Sequence, residues 1–323
     1  MPKIFVTRPI PDSGIKLLQE KGCEVVINEA ARDRVATKEE ILAGVKDADG
    51  LLSILTEKID TEIMDAGLPN LKIIANYAVG FDNIDLEAAK QRNILVTNTP
   101  GVLTNTVAEH TFALMLAIAH RIAEADKFSK AGMYRAWGPE LLLGTDVSGK
   151  TLGVVGLGRI GSRVAYHGVK GFDMKVVYCD PNRNEEFEKE FGAQYVANVE
   201  EMLSLCDFVS IHVPLLDSTK HLFNEARFKL MKPTAYLINT SRGPIVDEQA
   251  LANALKKGTI KGAAIDVFEN EPEITPELKD LENVILTPHI ASATEETRQA
   301  MSRLAAENII EALEGRVPPN LIK

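Results

Sequence analysis

The chain has 323 residues, 25% charged and 45% hydrophobic, ordinary proportions for a folded protein and enough length for two domains that each bury a core. A formal net charge of −10 argues against a nucleic-acid partner, because a phosphate backbone demands a positive surface. No signal peptide opens the chain and the longest apolar run inside a helical pattern, 112–119, is too short to span a bilayer, so a cytoplasmic protein without a membrane partner is expected.

From the N-terminus, strand-like and helix-like runs alternate. Residues 3–7 are apolar and β-branched, 12–20 have helical spacing, and 23–27 form another short strand pattern. Then come a helix over 38–45, a strand over 50–55, a helical turn over 61–67 before Pro69, a strand over 71–75, a helix over 85–91 and a strand over 94–97. Five strands with helices between them predict a parallel, doubly wound sheet. Residues 104–132 carry one long helical pattern, with Thr104 or Asn105 placed to cap it. Its apolar positions are too many for a single exposed face, which predicts a buried connector.

A second alternation begins at Lys150. Residues 151–155 read as a strand and 159–170 as a helix, and Gly156, Gly158 and Gly161 fill a G-x-G-x-x-G pattern at the turn between them. In such a turn the first glycine permits the bend, the second lets the backbone approach a pyrophosphate, and the third lets helix and strand pack closely. The pyrophosphate is then expected on the N–H groups of the helix N-terminus, at Arg159 and Ile160, where the dipole favours negative charge. The next strand pattern, 174–179, ends at Asp180, nineteen residues past Gly161. A carboxylate there accepts hydrogen bonds from ribose hydroxyls and repels a 2′-phosphate, which predicts NAD(H) over NADP(H). Arg183 reads as a solvated loop arginine. Cys23, Cys179 and Cys206 are too few and too scattered for a disulfide framework or a zinc site, and no metal is expected. Further strand patterns follow at 208–212, 235–239, 262–266 and 284–286, with helices between them. Ser292 and Glu295 have capping-box spacing and are expected to start a last helix reaching residue 313. Composition does not say on which domain that helix packs.

Ligands in open parallel sheets bind beyond the carboxyl ends of the strands. Polar groups just after strand patterns are therefore the candidates. They are Tyr77–Gly80, Asn239–Gly243, Asp266 with Glu271 five residues on, and His289. His212, before Val213 and Pro214, is expected to line an adenine pocket, and Thr240 and Ser241 to contact the cofactor. His110, His120 and His167 fall within helical patterns and read as ordinary helical histidines, and His221 has no evident chemical context. His289 is the histidine best placed for chemistry. Glu271 is available as its acidic partner, although spacing alone leaves that pairing open.

In this order, Asn76–Gly80, Gly156–Gly161, Asn239–Gly243, Asp266–Pro272 and Thr287–Ile290 resemble the D-isomer-specific 2-hydroxyacid dehydrogenases over nearly the whole chain. Through 76–85 and Thr97-Asn98-Thr99-Pro100 the resemblance is nearest to the glyoxylate and hydroxypyruvate reductases. It implies a flavodoxin-like substrate domain, discontinuous over 1–101 and 289–323, and a Rossmann NAD-binding domain over 102–288. It also implies a catalytic set of Arg242, Glu271 and His289, and a homodimer. Many glyoxylate reductases use NADPH and carry no acid where Asp180 stands, so this chain resembles an NADH-preferring relative.

The roles follow from the chemistry of a 2-oxo acid. Arg242 presents a planar fork of donors that can hold the carboxylate and polarise the carbonyl. The N–H groups of Val79 and Gly80 can take the other carboxylate oxygen. Hydride delivered from a nicotinamide leaves a developing alkoxide, which needs a proton, and an imidazole backed by a carboxylate supplies one near neutral pH. Asp266 can accept from the nicotinamide carboxamide. Ser53, Ile54, Leu55 and Trp137 are expected to set substrate size, Trp137 being equally readable as an interface or core anchor. The expected reaction is NADH-dependent reduction of a small 2-oxo acid, glyoxylate or hydroxypyruvate first. The rivals are a D-lactate-like dehydrogenase and a non-catalytic NAD(H)-sensing protein.

Overall fold

Short apolar runs bounded by turn residues form twelve strands among the residues described, 1–322 of the computed structural model, and every strand pairing is parallel. The chain divides into two units. One comprises Met1–Leu103 and the chain from Ala293 onward, the other Thr104–Ser292.

In the first unit β1 (Lys3–Val6), β2 (Glu24–Ile27), β3 (Gly50–Ile54), β4 (Ile73–Tyr77) and β5 (Leu95–Thr97) form a sheet in the order β2-β1-β3-β4-β5. That is the flavodoxin-like winding. β4 runs two residues later than expected, because Leu71 N donates to Gly67 O and so belongs to the preceding turn. Asn76 and Tyr77 consequently pair with Ser53 and Ile54 inside the sheet. The final helix, Glu295–Leu313, packs in this unit against the Asp12–Glu20 helix and β4. Gly14 N donates to Ser302 Oγ at 3.0 Å, Ser13 Oγ to Gln299 O at 2.7 Å, and Tyr77 Oη to Arg298 O at 2.7 Å. The cap of that helix is Thr294, which accepts from Thr297 N, and not Ser292; the helix starts two residues later than the capping-box spacing suggested.

The second unit holds β6 (Thr151–Val155), β7 (Lys175–Cys179), β8 (Gln194–Tyr195), β9 (Phe208–Ile211), β10 (Tyr236–Asn239), β11 (Gly262–Ile265) and β12 (Val284–Leu286), ordered β12-β11-β10-β9-β6-β7-β8. The order reverses between β6 and β9, the switch point of a Rossmann sheet. One face buries Val209, Leu237 and Met202, the other Tyr178, Phe208 and Tyr236. The expected single helix over 104–132 is two helices, Thr104–Ala119 and Ile122–Lys130. The break lies at Arg121, which adopts φ 56°, bonds Glu124 through its guanidinium, and leaves Ala119 O to accept from Thr145 N. Only the first of the two is a buried connector; the second has no buried residue. The change of unit falls after Ser292 instead of before His289. The reason is that His289 N donates to Asp266 O, and Ile290 N and Ala291 N to the Asp266 carboxylate, which ties 289–291 to the end of β11. No helix among the described residues is long and apolar enough to cross a membrane.

Candidate active site

The glycine turn follows β6 directly and opens the Arg159–Phe172 helix. Gly156 has φ +92°, and a Cβ there would lie 2.8 Å from His212 O; a Cβ at Gly161 would lie 2.0 Å from Gly156 O. Gly158 differs. It is the N-cap residue, exposed, with nothing within 4 Å of a built Cβ and no side chain capping the helix. Open space thus lies where a side chain at Gly158 would go, at the N-terminus of the Arg159–Phe172 helix, a geometry suited to a pyrophosphate.

Asp180 stands at the end of β7 and accepts from Leu157 N and Asn182 N, both at 2.8 Å, one on each oxygen. A carboxylate offers about four acceptor sites, so roughly two remain for ribose hydroxyls. A cavity of about 510 Å³ lies beside it, lined by Leu157, Gly158, Asp180, Asn182 and Arg183 among others. At the end of β9, His212 Nε2 meets Ser210 Oγ at 2.8 Å, and burial pushes its imidazole well below the ordinary range, so the ring is neutral. Val213 O accepts from Ser241 Oγ, and Thr240 Oγ1 meets Thr111 Oγ1 at 3.0 Å, which joins the loops after β9 and β10 to the Thr104–Ala119 helix.

Arg242 is carried by the loop after β10. Asn239, fully buried, spans that loop: Ser241 N donates to its Oδ1 at 3.0 Å and its Nδ2 donates to Arg242 O at 2.9 Å. Gly243 is in the tightest approach of the unit, where a Cβ would fall 1.9 Å from the backbone C and O of Phe268. The arginine loop therefore lies flush against the backbone that leads to Glu271. Neither Asn239 nor Gly243 stands out individually in the sequence, although both fall within the polar run after the strand.

His289 Nδ1 lies 2.9 Å from Glu271 Oε2 and 3.2 Å from Oε1, with both side chains about three-quarters buried. The pairing that spacing left open is present. Glu271 Oε1 also accepts from Phe268 N at 3.0 Å, which fixes the carboxylate. Asp266 is fully buried, and three donors converge on its carboxylate: Thr287 Oγ1 at 2.6 Å, Ile290 N at 2.9 Å and Ala291 N at 2.7 Å. Its foremost duty is to anchor the turn that bears His289, and about one acceptor site is left for the carboxamide it was expected to meet. Buried Glu248 holds the other side. It accepts from Glu269 N at 2.6 Å and from Thr275 Oγ1 at 2.5 Å, bracketing the segment that contains Glu271.

One histidine differs from expectation: His221 does have a partner, since its Nε2 lies 2.6 Å from Glu269 Oε1. His110 is a partly buried helical histidine, as expected, and its Nε2 lies 3.6 Å from Asp266 Oδ1. Sequence spacing could not show either, because both contacts depend on how the loops after β10 and β11 fold back.

In the first unit, Val79 and Gly80 follow β4. Their carbonyls accept from Asn98 Nδ2 at 2.7 Å and Asn76 Nδ2 at 2.8 Å. Ser53, expected to line a substrate pocket, is fully buried inside β3 and donates to Asn76 Oδ1 at 3.1 Å; it braces the β4 turn instead of facing a ligand. Leu55 and Ile54 are partly buried at the strand end. Trp137 is 79% exposed, which rules out the core-anchor reading.

A Rossmann sheet with an open glycine turn, an acid at the end of its second strand and a histidine–carboxylate pair beyond later strands define a nicotinamide-dependent dehydrogenase. The sequence model described as "D-isomer specific 2-hydroxyacid dehydrogenase, NAD binding domain" matches residues 112–291. Glyoxylate reductases of Pyrococcus furiosus and Thermofilum pendens are 49% and 50% identical to the chain, each over 99% of it and over 95% and 94% of the relative. Among solved structures, a protein from Thermus thermophilus is 42% identical with a TM-score of 0.93, covering 99% of this chain and 100% of that one. An NADPH-dependent glyoxylate/hydroxypyruvate reductase from Sinorhizobium meliloti, in complex with citrate, is 33% identical with a TM-score of 0.85, covering 100% and 98%. The chain belongs to the D-isomer-specific 2-hydroxyacid dehydrogenases, and it is an oxidoreductase that uses a nicotinamide cofactor.

Proposed function

We propose that the protein reduces a small 2-oxo acid, glyoxylate or hydroxypyruvate foremost, to the D-2-hydroxy acid with NADH. The observation that carries this is the His289–Glu271 pair at 2.9 Å, on loops that converge with the one bearing Arg242. Arg242 holds the substrate carboxylate and polarises its carbonyl through a planar guanidinium fork. With Nδ1–H directed at Glu271, His289 is left with Nε2 as the nitrogen that gains and loses the transferred proton. When bound, a reduced nicotinamide would supply the hydride that the carbonyl carbon takes up. His289 then protonates the developing alkoxide, and Glu271 keeps the imidazole oriented while it carries charge.

Gly156, Gly158, Arg159, Ile160 and Gly161 hold the pyrophosphate; His212, Val213, Pro214, Thr240 and Ser241 border the dinucleotide. Asp180 takes the ribose hydroxyls and thereby favours NADH. Trp137 limits the substrate's side chain. The active form is a homodimer. The experiment is to follow NADH absorbance with glyoxylate, hydroxypyruvate, pyruvate and larger 2-oxo acids, with NADPH in parallel. Turnover of glyoxylate and hydroxypyruvate ahead of the rest is expected; cofactor binding without turnover on any of them overturns the reading.

A further inference from the structure

Arg183 borders the same cavity as Asp180, at the place where a 2′-phosphate of NADPH would need a cation. An arginine there is an obvious phosphate ligand, because its planar fork matches phosphate oxygens in pairs. In this protein the fork is already engaged. Arg183 Nε donates to Glu188 Oε1 at 2.9 Å and Nη2 to Oε2 at 2.8 Å, a two-point pairing. Glu188 is itself held: its side chain is only 16% exposed, and Tyr178, fully buried in β7, donates its hydroxyl to Oε1 at 2.8 Å. Asn184 N in turn donates to the Tyr178 hydroxyl at 2.8 Å, so the loop bearing Arg183 is fastened to the same hub. The guanidinium also lies 5.6 Å from the centre of the Tyr195 ring. Pairing with Arg183, reinforced by Tyr178, holds the Glu188 carboxyl down at about 2.

An exposed ion pair by itself is weak. This one has a buried hydroxyl and a backbone amide behind the carboxylate, so moving Arg183 to a phosphate means breaking a two-point contact on an anchored partner. The remaining charged groups around the cavity, Asp180, Glu185 and Glu186, are acidic. We propose that Glu188 is a specificity-determining residue: by holding Arg183 against the Tyr178 hub it withholds the guanidinium that lines this cavity from a 2′-phosphate, and so adds to the preference for NADH that Asp180 establishes. The inference rests on the reading that this cavity receives the adenosine ribose.

The test compares kcat/KM for NADPH and NADH with glyoxylate in the full-length protein. Glu188→Gln keeps an acceptor for Tyr178 but loses the charge that holds Arg183. The NADPH/NADH ratio is expected to rise about tenfold, the scale of one charge-assisted hydrogen bond. Adding Arg183→Ala to Glu188→Gln is expected to cancel the rise. No rise in Glu188→Gln, or a rise that survives loss of Arg183, overturns the proposal, the latter because only removal of negative charge would then be at work. The cofactor reading fails separately, if the wild-type protein already turns over NADPH as readily as NADH. Far-UV circular dichroism and NADH affinity of both variants show that the fold is intact.

Discussion

The backbone N–H of His289 donates to the carbonyl of Asp266 at 2.8 Å, and His289 sits at φ 53°, a left-handed conformation uncommon for a residue other than glycine. The turn is held there by the Asp266 carboxylate, through Ile290 N, Ala291 N and Thr287 Oγ1. Asp266→Asn replaces one of those acceptor oxygens with a donor facing an N–H. The variant is expected to lose about 1–3 kcal/mol of stability, the cost of an unsatisfied buried polar group. Its turnover should fall more than its NADH affinity, as measured by denaturant melts and stopped-flow titration. A variant with wild-type kcat removes the anchoring role.

The same carboxylate predicts an acid response. Burial acts to raise the Asp266 pKa, but the nearby His110 imidazole and hydrogen bonds from Thr287, Ile290 and Ala291 outweigh it, so the folded value lies below the ordinary one. A group depressed in the folded state stabilises fully above its unfolded pKa, about 3.9 for aspartate, and that contribution is lost as pH falls through the folded value. The stability gap between wild type and Asp266→Asn should therefore be constant above about pH 5 and shrink below about pH 4. A gap that stays constant down to acid unfolding contradicts this.

On the proposed mechanism, His289→Ala removes the proton donor while the glycine turn and Asp180 remain. Turnover is expected to drop by about 10²–10⁴, the usual worth of a positioned acid, with NADH affinity nearly unchanged. Glu271→Gln should give a smaller fall in turnover, because the amide oxygen can still accept from the ring and orient it. Wild-type rates in His289→Ala sink the assignment.

Asp180→Ala is expected to narrow the proposed preference for NADH over NADPH roughly tenfold, since on that reading it removes both an acceptor for ribose hydroxyls and a repelling charge. An unchanged ratio places the ribose contact elsewhere.

The strand–helix alternation was legible because a parallel sheet covered on both faces needs near-continuous apolar strands, and such runs stand out between Gly, Pro and Asn. The glycine turn was legible because steric need leaves so few residues able to occupy it. Contacts between loops were not. That Gly243 must be glycine, because Phe268 backbone lies where its Cβ would be, depends on the meeting of two segments about 25 residues apart in sequence. The break at Arg121 was not legible because its flanks keep helical periodicity; it shows only in the left-handed backbone there, the Glu124 pairing and the Ala119 carbonyl turned to Thr145. Ser53 looked like a pocket wall since it ends a strand, whereas a fully buried hydroxyl with one partner supports its neighbour instead.

Gly243 itself offers a test of how closely the loops must meet. A Cβ would fall 1.9 Å from Phe268 backbone atoms and 2.5 Å from Glu269 N, where no flexible side chain can yield. Gly243→Ala is expected to cost about 1–3 kcal/mol or more in stability and to displace Arg242 from the Glu271 segment. A raised KM for the 2-oxo acid should accompany a lowered melting temperature. Unchanged values of both mean that the loops can part without consequence.

Exposed apolar side chains bear on assembly. Ile122, Met133, Tyr134, Trp137 and Leu143 are 54–79% exposed, and Met133 and Leu143 border a groove of about 930 Å³ with Ile118 and Phe128 at its wall. Exposed apolar side chains such as Met133 and Leu143 at the edge of a large groove mark a protein contact more often than a free surface. The groove is edged by both Lys127, Lys261 and Lys279 and Glu124, Asp280 and Glu282, a mixed rim that a second copy of the same chain can match. Sedimentation velocity of the wild type should show a dimer, and Met133→Lys with Leu143→Lys should shift it to a monomer that still binds NADH. A wild type that sediments as a monomer at assay concentrations, or a double variant that remains dimeric, assigns these side chains another role. If Trp137 limits the substrate from the partner subunit, the monomer should also show a raised KM for glyoxylate, whereas an unchanged KM would confine Trp137 to the interface.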